Sequence, residues 1–126
     1  METPEDLRYS KDHQWIRTEG EEGVVGITDF AQHELTDIVF VELPEVGREV
    51  SAGEAMAAVE SSKAVSDVYA PVGGSVTAVN DALEDQPELI NESPYTDGWM
   101  VRLKMSNPDE LDGLLSAKEY RELTEN

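Results

Sequence analysis

Lys63 is the residue best placed for chemistry. It stands in Ser61-Ser62-Lys63-Ala64, a link of small residues between the strand-like runs 55–60 and 65–70. Such a link reads as the tip of a hairpin spanning about 55–70. A hairpin tip fixes the backbone and leaves a long side chain free. A primary amine is thereby presented to whatever docks on the turn, as a covalently carried group requires. Glu60 and Asp67 flank the turn. Two readings stand side by side. Lys63 is ordinary solubilising surface and the acids are solvated edge charge, or Lys63 is offered for modification and the acids mark it for a partner.

Other chemistries find little support. His13 and His33 are the only histidines, at no metal-ligand spacing, so no metal site is expected. With no cysteine, thiolate metal sites, iron–sulfur clusters and cysteine nucleophiles are excluded. No Gly-x-Ser-x-Gly elbow, phosphate loop or dinucleotide fingerprint occurs. The expectation is a protein without catalytic machinery of its own. Trp15, Tyr69, Tyr95 and Trp99 read as core or rim aromatics.

The 28 acidic and 9 basic side chains of the 126 residues give a net charge of −19, which argues against nucleic acid as a ligand. With 39% hydrophobic residues the chain should nevertheless fold, as one domain over 1–126. No run approaches the roughly 18 apolar residues of a membrane span, and the first ten residues lack the features of a signal peptide. A cytoplasmic protein, monomeric when free, is expected. Self-repulsion at this charge weakens a compact fold at low salt and is screened at high salt. The composition therefore predicts a salt-rich cell interior, the other reading being an acidic surface matched to a partner.

The elements that must position Lys63 are mostly strands. Runs rich in β-branched residues predict strands over 13–17, 24–28, 38–43, 55–60, 65–70, 76–79 and 98–103, punctuated by Gly and Pro. Residues 1–12 read as irregular, and 81–92 as loop or short helix. Apolar positions 27, 30, 31 and 35 predict a short helix over 28–35, capped by Thr28 or Asp29. Leu111, Leu114, Leu115, Tyr120 and Leu123 predict a C-terminal helix over about 108–123, weakened at Gly113. The segment 74–79 faintly echoes 23–28, suggesting two similar β motifs packed as a sandwich with the helices outside.

Five blocks carry a resemblance: YSKDHQW (9–15), GITDFAQ (26–32), DIVFVELPEVG (37–47), ESSKAVSDVYAP (60–71) and NESPYTDGW (91–99). In order and spacing they are similar to the H proteins of the glycine cleavage system, over nearly the whole chain. The resemblance implies a mostly β, lipoyl-type barrel-sandwich hybrid with short peripheral helices and a C-terminal helix. It implies lipoate joined as an amide to Lys63. It also implies a non-catalytic carrier that takes an aminomethyl group from glycine decarboxylase to aminomethyltransferase. Dihydrolipoyl dehydrogenase then reoxidises the arm, and a lipoate-attaching enzyme loads it. The loaded arm is expected to fold into a cleft whose glutamate attracts the amine. Here that residue is Gln14, which supplies no charge. Histidine is common before Leu35 and glycine after it, where this chain has Glu34 and Thr36. Glu34 is the candidate to compensate for Gln14. The alternatives are a lipoyl carrier for another lipoate-dependent route, a lipoate relay, or an acidic binding protein never modified at Lys63.

Overall fold

The computed structural model describes residues 2–125. Nine strands are present among the described residues: β1 (Arg8–Tyr9), β2 (Gln14–Glu19), β3 (Glu22–Ile27), β4 (Ile38–Glu42), β5 (Glu49–Val50), β6 (Ala55–Ser61), β7 (Val65–Tyr69), β8 (Gly74–Val79) and β9 (Val101–Met105). They form two antiparallel sheets, β1-β2-β3-β9-β8-β5 and β4-β6-β7, packed as a sandwich. Ile16, Val25, Ile27, Val76 and Leu103 from the larger sheet meet Ile38, Val41, Val59 and Val68 from the smaller in one apolar core.

Strand patterns follow what covers each face. In β9 Val101, Leu103 and Met105 are buried while Arg102 and Lys104 are not, the period-2 alternation of a sheet with one dry face. β3 is buried nearly throughout because both faces are covered. Val25 and Ile27 enter the sandwich core, whereas Val24 lies in a second cluster with Leu7, Tyr9, Trp15, Tyr95, Ala117 and Tyr120. Gly26 stands opposite Trp15, and a Cβ on it would lie 2.8 Å from the indole, so the glycine makes room for the ring.

The helices lie at the periphery: α1 (Asp29–Leu35), α2 (Ala82–Asp85), α3 (Leu89–Glu92) and α4 (Ala117–Thr124). Thr28 caps α1, its hydroxyl accepting the Ala31 N–H at 3.1 Å. The structure corrects the expected continuous helix over 108–123. Pro108–Gly113 is a 3₁₀ turn, and α4 begins only at Ala117. Between them Leu115 is extended and exchanges both backbone bonds with Tyr9, at 2.9 and 2.7 Å. The helix restarts at Ser116, where Ser116 and Glu119 form a capping box. Arg8–Tyr9, where an irregular segment was expected, is a short strand because it pairs with β2, Arg8 opposite Ile16 and Tyr9 opposite Trp15. The last strand starts at Val101 rather than Gly98. The two echoed segments, β3 and β8, lie in the same sheet on either side of β9 rather than one in each layer.

Candidate functional site

Lys63 projects from the β6–β7 turn. The turn is fixed by Ser61, whose buried hydroxyl accepts the N–H groups of Lys63 and Ala64 at 3.1 and 3.0 Å and donates to the Ala64 carbonyl at 3.1 Å. Such a hydroxyl-closed turn is a local serine motif. The Ser62 N–H donates to the Asp37 carbonyl at 3.1 Å, tying the tip to the segment between α1 and β4. Lys63 itself is exposed, and its Nζ donates to the Glu34 carbonyl at 3.1 Å. That carbonyl belongs to the last turn of α1, whose final C=O groups have no partner within the helix and carry partial negative charge.

Beside this turn lies a cleft of about 270 Å³, lined by α1, the β2 entry and the inner edge of the hairpin. Ile27, Phe30, Ala31, Leu35 and Val59 give it apolar walls; Asp12 from the turn before β2, Glu34 from α1 and Asp67 from β7 bring carboxylates to it. Of the residues singled out in sequence, Gln14, Glu34 and Asp67 thus line one cleft, while Glu60 is not among its lining residues. Glu60 sits between Phe40 and Val65 in the smaller sheet, both of them exposed.

Gln14 is buried, and both ends of its amide are engaged locally. Nε2 donates to the Asp12 carbonyl at 3.0 Å and Oε1 accepts the Ser10 hydroxyl at 2.6 Å. It closes the turn that leads into β2, so the negative charge of the cleft comes from the carboxylates around it.

Two contributors escaped the sequence reading. Asp12 was not singled out, and His13 was weighed only as a metal ligand. His13 lines the cleft, with its ring centroid 4.8 Å from that of Phe30 and Nδ1 2.7 Å from the Tyr120 hydroxyl. Burial lowers its pKa from the usual 6.5, against the opposing pull of Asp12 and Glu34. The signal for His13 was its place beside Gln14; its partner lies 107 residues away and left no local trace. No group of histidines and carboxylates capable of holding a metal occurs among the described residues.

The site is thus an exposed amine on a braced hairpin, beside a cleft with apolar walls and acidic edges. The family described as "Glycine cleavage H-protein" matches residues 7–126. The glycine cleavage system H proteins of Bacillus cereus (strain AH820) and Bacillus anthracis (strain A0248) are each 56% identical to this chain over 124 residues, covering 98% of both sequences. The crystal structure of a glycine cleavage system H protein from Mycobacterium marinum superposes with a TM-score of 0.88 at 40% identity, covering 98% of this chain and 99% of that one. On sequence and on structure together, the chain belongs to the glycine cleavage H-protein family.

Proposed function

We propose that lipoate is attached as an amide to Nζ of Lys63 and that the cleft beside α1 shelters the arm when it is loaded. The chain's function is that of the lipoyl-bearing shuttle of the glycine cleavage system, a carrier rather than a catalyst. The observation that supports Lys63 as the attachment point is its presentation: an exposed amine on a turn locked by the Ser61 hydroxyl. A braced base with a free arm raises the effective concentration of the load at each site the arm visits. Bound to Lys63, lipoate supplies a redox-active disulfide to a chain that has no cysteine thiol of its own.

The chain's residues do the rest. Amide formation replaces the ammonium that donates to the Glu34 carbonyl with a neutral amide N–H, so the tie to α1 loses its charge assistance when the side chain is modified. Phe30, Leu35 and Val59 offer apolar contact to the hydrocarbon of the arm, and Asp12, Glu34 and Asp67 offer charge to an aminomethyl cation. Gln14 orders the turn between them. The partners on this reading are glycine decarboxylase, aminomethyltransferase, dihydrolipoyl dehydrogenase and a lipoate-attaching enzyme. No helix among the described residues is long and apolar enough to cross a membrane. The acidic excess supports a salt-rich cytoplasm as the working medium.

The test is reconstitution of glycine–bicarbonate exchange with the cognate decarboxylase, comparing lipoylated wild type with Lys63→Ala. Exchange should need the wild type, and intact mass should show one lipoyl amide on native material and none on the variant. Equal exchange from both would overturn the assignment. A lipoyl group on Lys63 that supports no exchange would move the chain to another lipoate-dependent route.

A further inference from the structure

The cleft is lined by α1 and by residues 12–14, and the backbone joins the two directly, the Thr28 N–H donating to the His13 carbonyl at 3.1 Å. One side chain adds a second link from a third element. The hydroxyl of Tyr120, in α4, lies 2.7 Å from His13 Nδ1 and 2.7 Å from Thr28 Oγ1. Thr28 caps α1, and His13 lines the cleft. Tyr120 is itself buried, its ring stacked on Tyr9 with centroids 4.7 Å apart, so the hydroxyl is held from behind.

We propose that Tyr120 is a positioning residue for the cleft: through a single hydroxyl it fixes the His13 ring and the Thr28 side chain relative to one another, and so sets the orientation of the imidazole that lines the gap in which the loaded arm is sheltered. This rests on reading the cleft as the arm's resting place.

Both contacts of the phenol can run in either direction. On this proposal the Thr28 hydroxyl, which accepts the Ala31 N–H, donates to the phenol oxygen. The phenol in turn donates to Nδ1 of an imidazole that is neutral with its hydrogen on Nε2. Burial favours the same neutral form, while Asp12 from the preceding residue and Glu34 from α1 oppose it. Asp67 of β7 lines the same cleft. Neutrality suits the cleft's task, because an imidazolium there would repel a cationic adduct.

Tyr120→Phe keeps the stacked ring and removes only the hydroxyl. Ala117→Gly is the control, since it weakens α4 but leaves the hydroxyl in place. Two readouts use the unmodified chain: the His13 titration followed by NMR, and hydrogen exchange at the Ala31 amide. The third is the hydrolysis rate of the loaded arm without partners. In Tyr120→Phe the His13 pKa should rise, because the donor to its neutral form is gone. Ala31 exchange and adduct hydrolysis should each quicken about three- to tenfold, the range expected for one lost hydrogen bond. Ala117→Gly should leave the His13 titration where it is in the wild type. A Phe variant with wild-type titration and exchange would overturn the proposal, whatever its stability. So would a Phe variant that shelters its load as well as a sheltering wild type. A wild-type adduct as labile as one on a lipoyl-lysine peptide would instead overturn the shelter reading, and this proposal with it.

Discussion

Thr36, beside the site, has a strained backbone. Its φ of 64° with ψ of −149° is a region that is essentially glycine's alone, and a β-branched side chain is poorly suited to it. The surroundings hold it there. Its N–H donates to the Gln32 carbonyl at 2.9 Å, and its own carbonyl accepts Asn91 Nδ2 at 2.8 Å. The hydroxyl reaches Ser62 Oγ only at 3.4 Å, too long to offset much strain. Relief of a conformation costing about 1–3 kcal/mol, less roughly 0.5–1 kcal/mol for glycine's greater freedom when unfolded, sets the sign. Thr36→Gly should stabilise the fold by about 1 kcal/mol, seen as a higher urea midpoint at unchanged slope. A lower midpoint would mean that the Ser62 contact outweighs the strain.

At the scale of elements, α3 holds the end of α1 and the start of β4 through one side chain. Asn91 Oδ1 accepts the Ile38 N–H at 2.9 Å, and Nδ2 donates to Gln32 Oε1 at 2.9 Å and to the Thr36 carbonyl at 2.8 Å. Asn91→Ala removes all three bonds and leaves the N–H of buried Ile38 without its acceptor. It should destabilise the protein by about 2–3 kcal/mol and speed exchange at the Ile38 amide. Asn91→Asp keeps the acceptor for Ile38 but turns a carboxylate oxygen on the Gln32 and Thr36 oxygens. It should therefore also lose stability, while leaving the Ile38 amide better protected than in Asn91→Ala. Equal exchange at Ile38 in the two variants would show that the acceptor does not hold β4. This clamp also shows where the sequence stops being legible. The β-branched runs announced most strands, and 28–35 announced α1, because those signals are local. The Asn91 contacts span 53 to 59 residues and have no local signature. The C-terminal leucines were misread because their spacing suits a helix, whereas Leu115 is claimed by Tyr9. The true start of α4 was written locally, in Ser116 and Glu119, but the longer apolar period overrode it. The cleft divides in the same way. Gln14 and Glu34 stood out as departures from the family pattern, while Asp12 and His13 gain their place only from packing against distant α1 and α4.

For the whole molecule the governing quantity is the charge of −19. The ion pairs Arg17–Glu19, Arg102–Glu19, Arg102–Glu22, Arg48–Glu54 and Arg121–Glu5 engage four of the 28 acids, and all lie at partly or fully exposed positions. Exposed pairs contribute about 0–1 kcal/mol each, too little to cancel repulsion among the remaining carboxylates. Screening changes sharply with salt, the Debye length falling from about 30 Å at 0.01 M to about 10 Å at 0.1 M and 3 Å at 1 M. If repulsion limits stability, the melting temperature should climb steeply with KCl up to a few tenths molar and then level off. Screening is then nearly complete at the spacing of neighbouring carboxylates. A climb that continues above molar salt would point instead to exclusion of salt from the protein surface. Charge-removing Glu→Gln changes at Glu84, Glu88 and Asp81→Asn, exposed and outside those ion pairs, should raise the low-salt melting temperature and flatten the curve. A melting temperature indifferent to KCl from 0.01 M upward would show that the acids are spaced without net penalty. The excess charge would then belong to recognition of a basic partner, and binding rather than stability would carry the salt dependence.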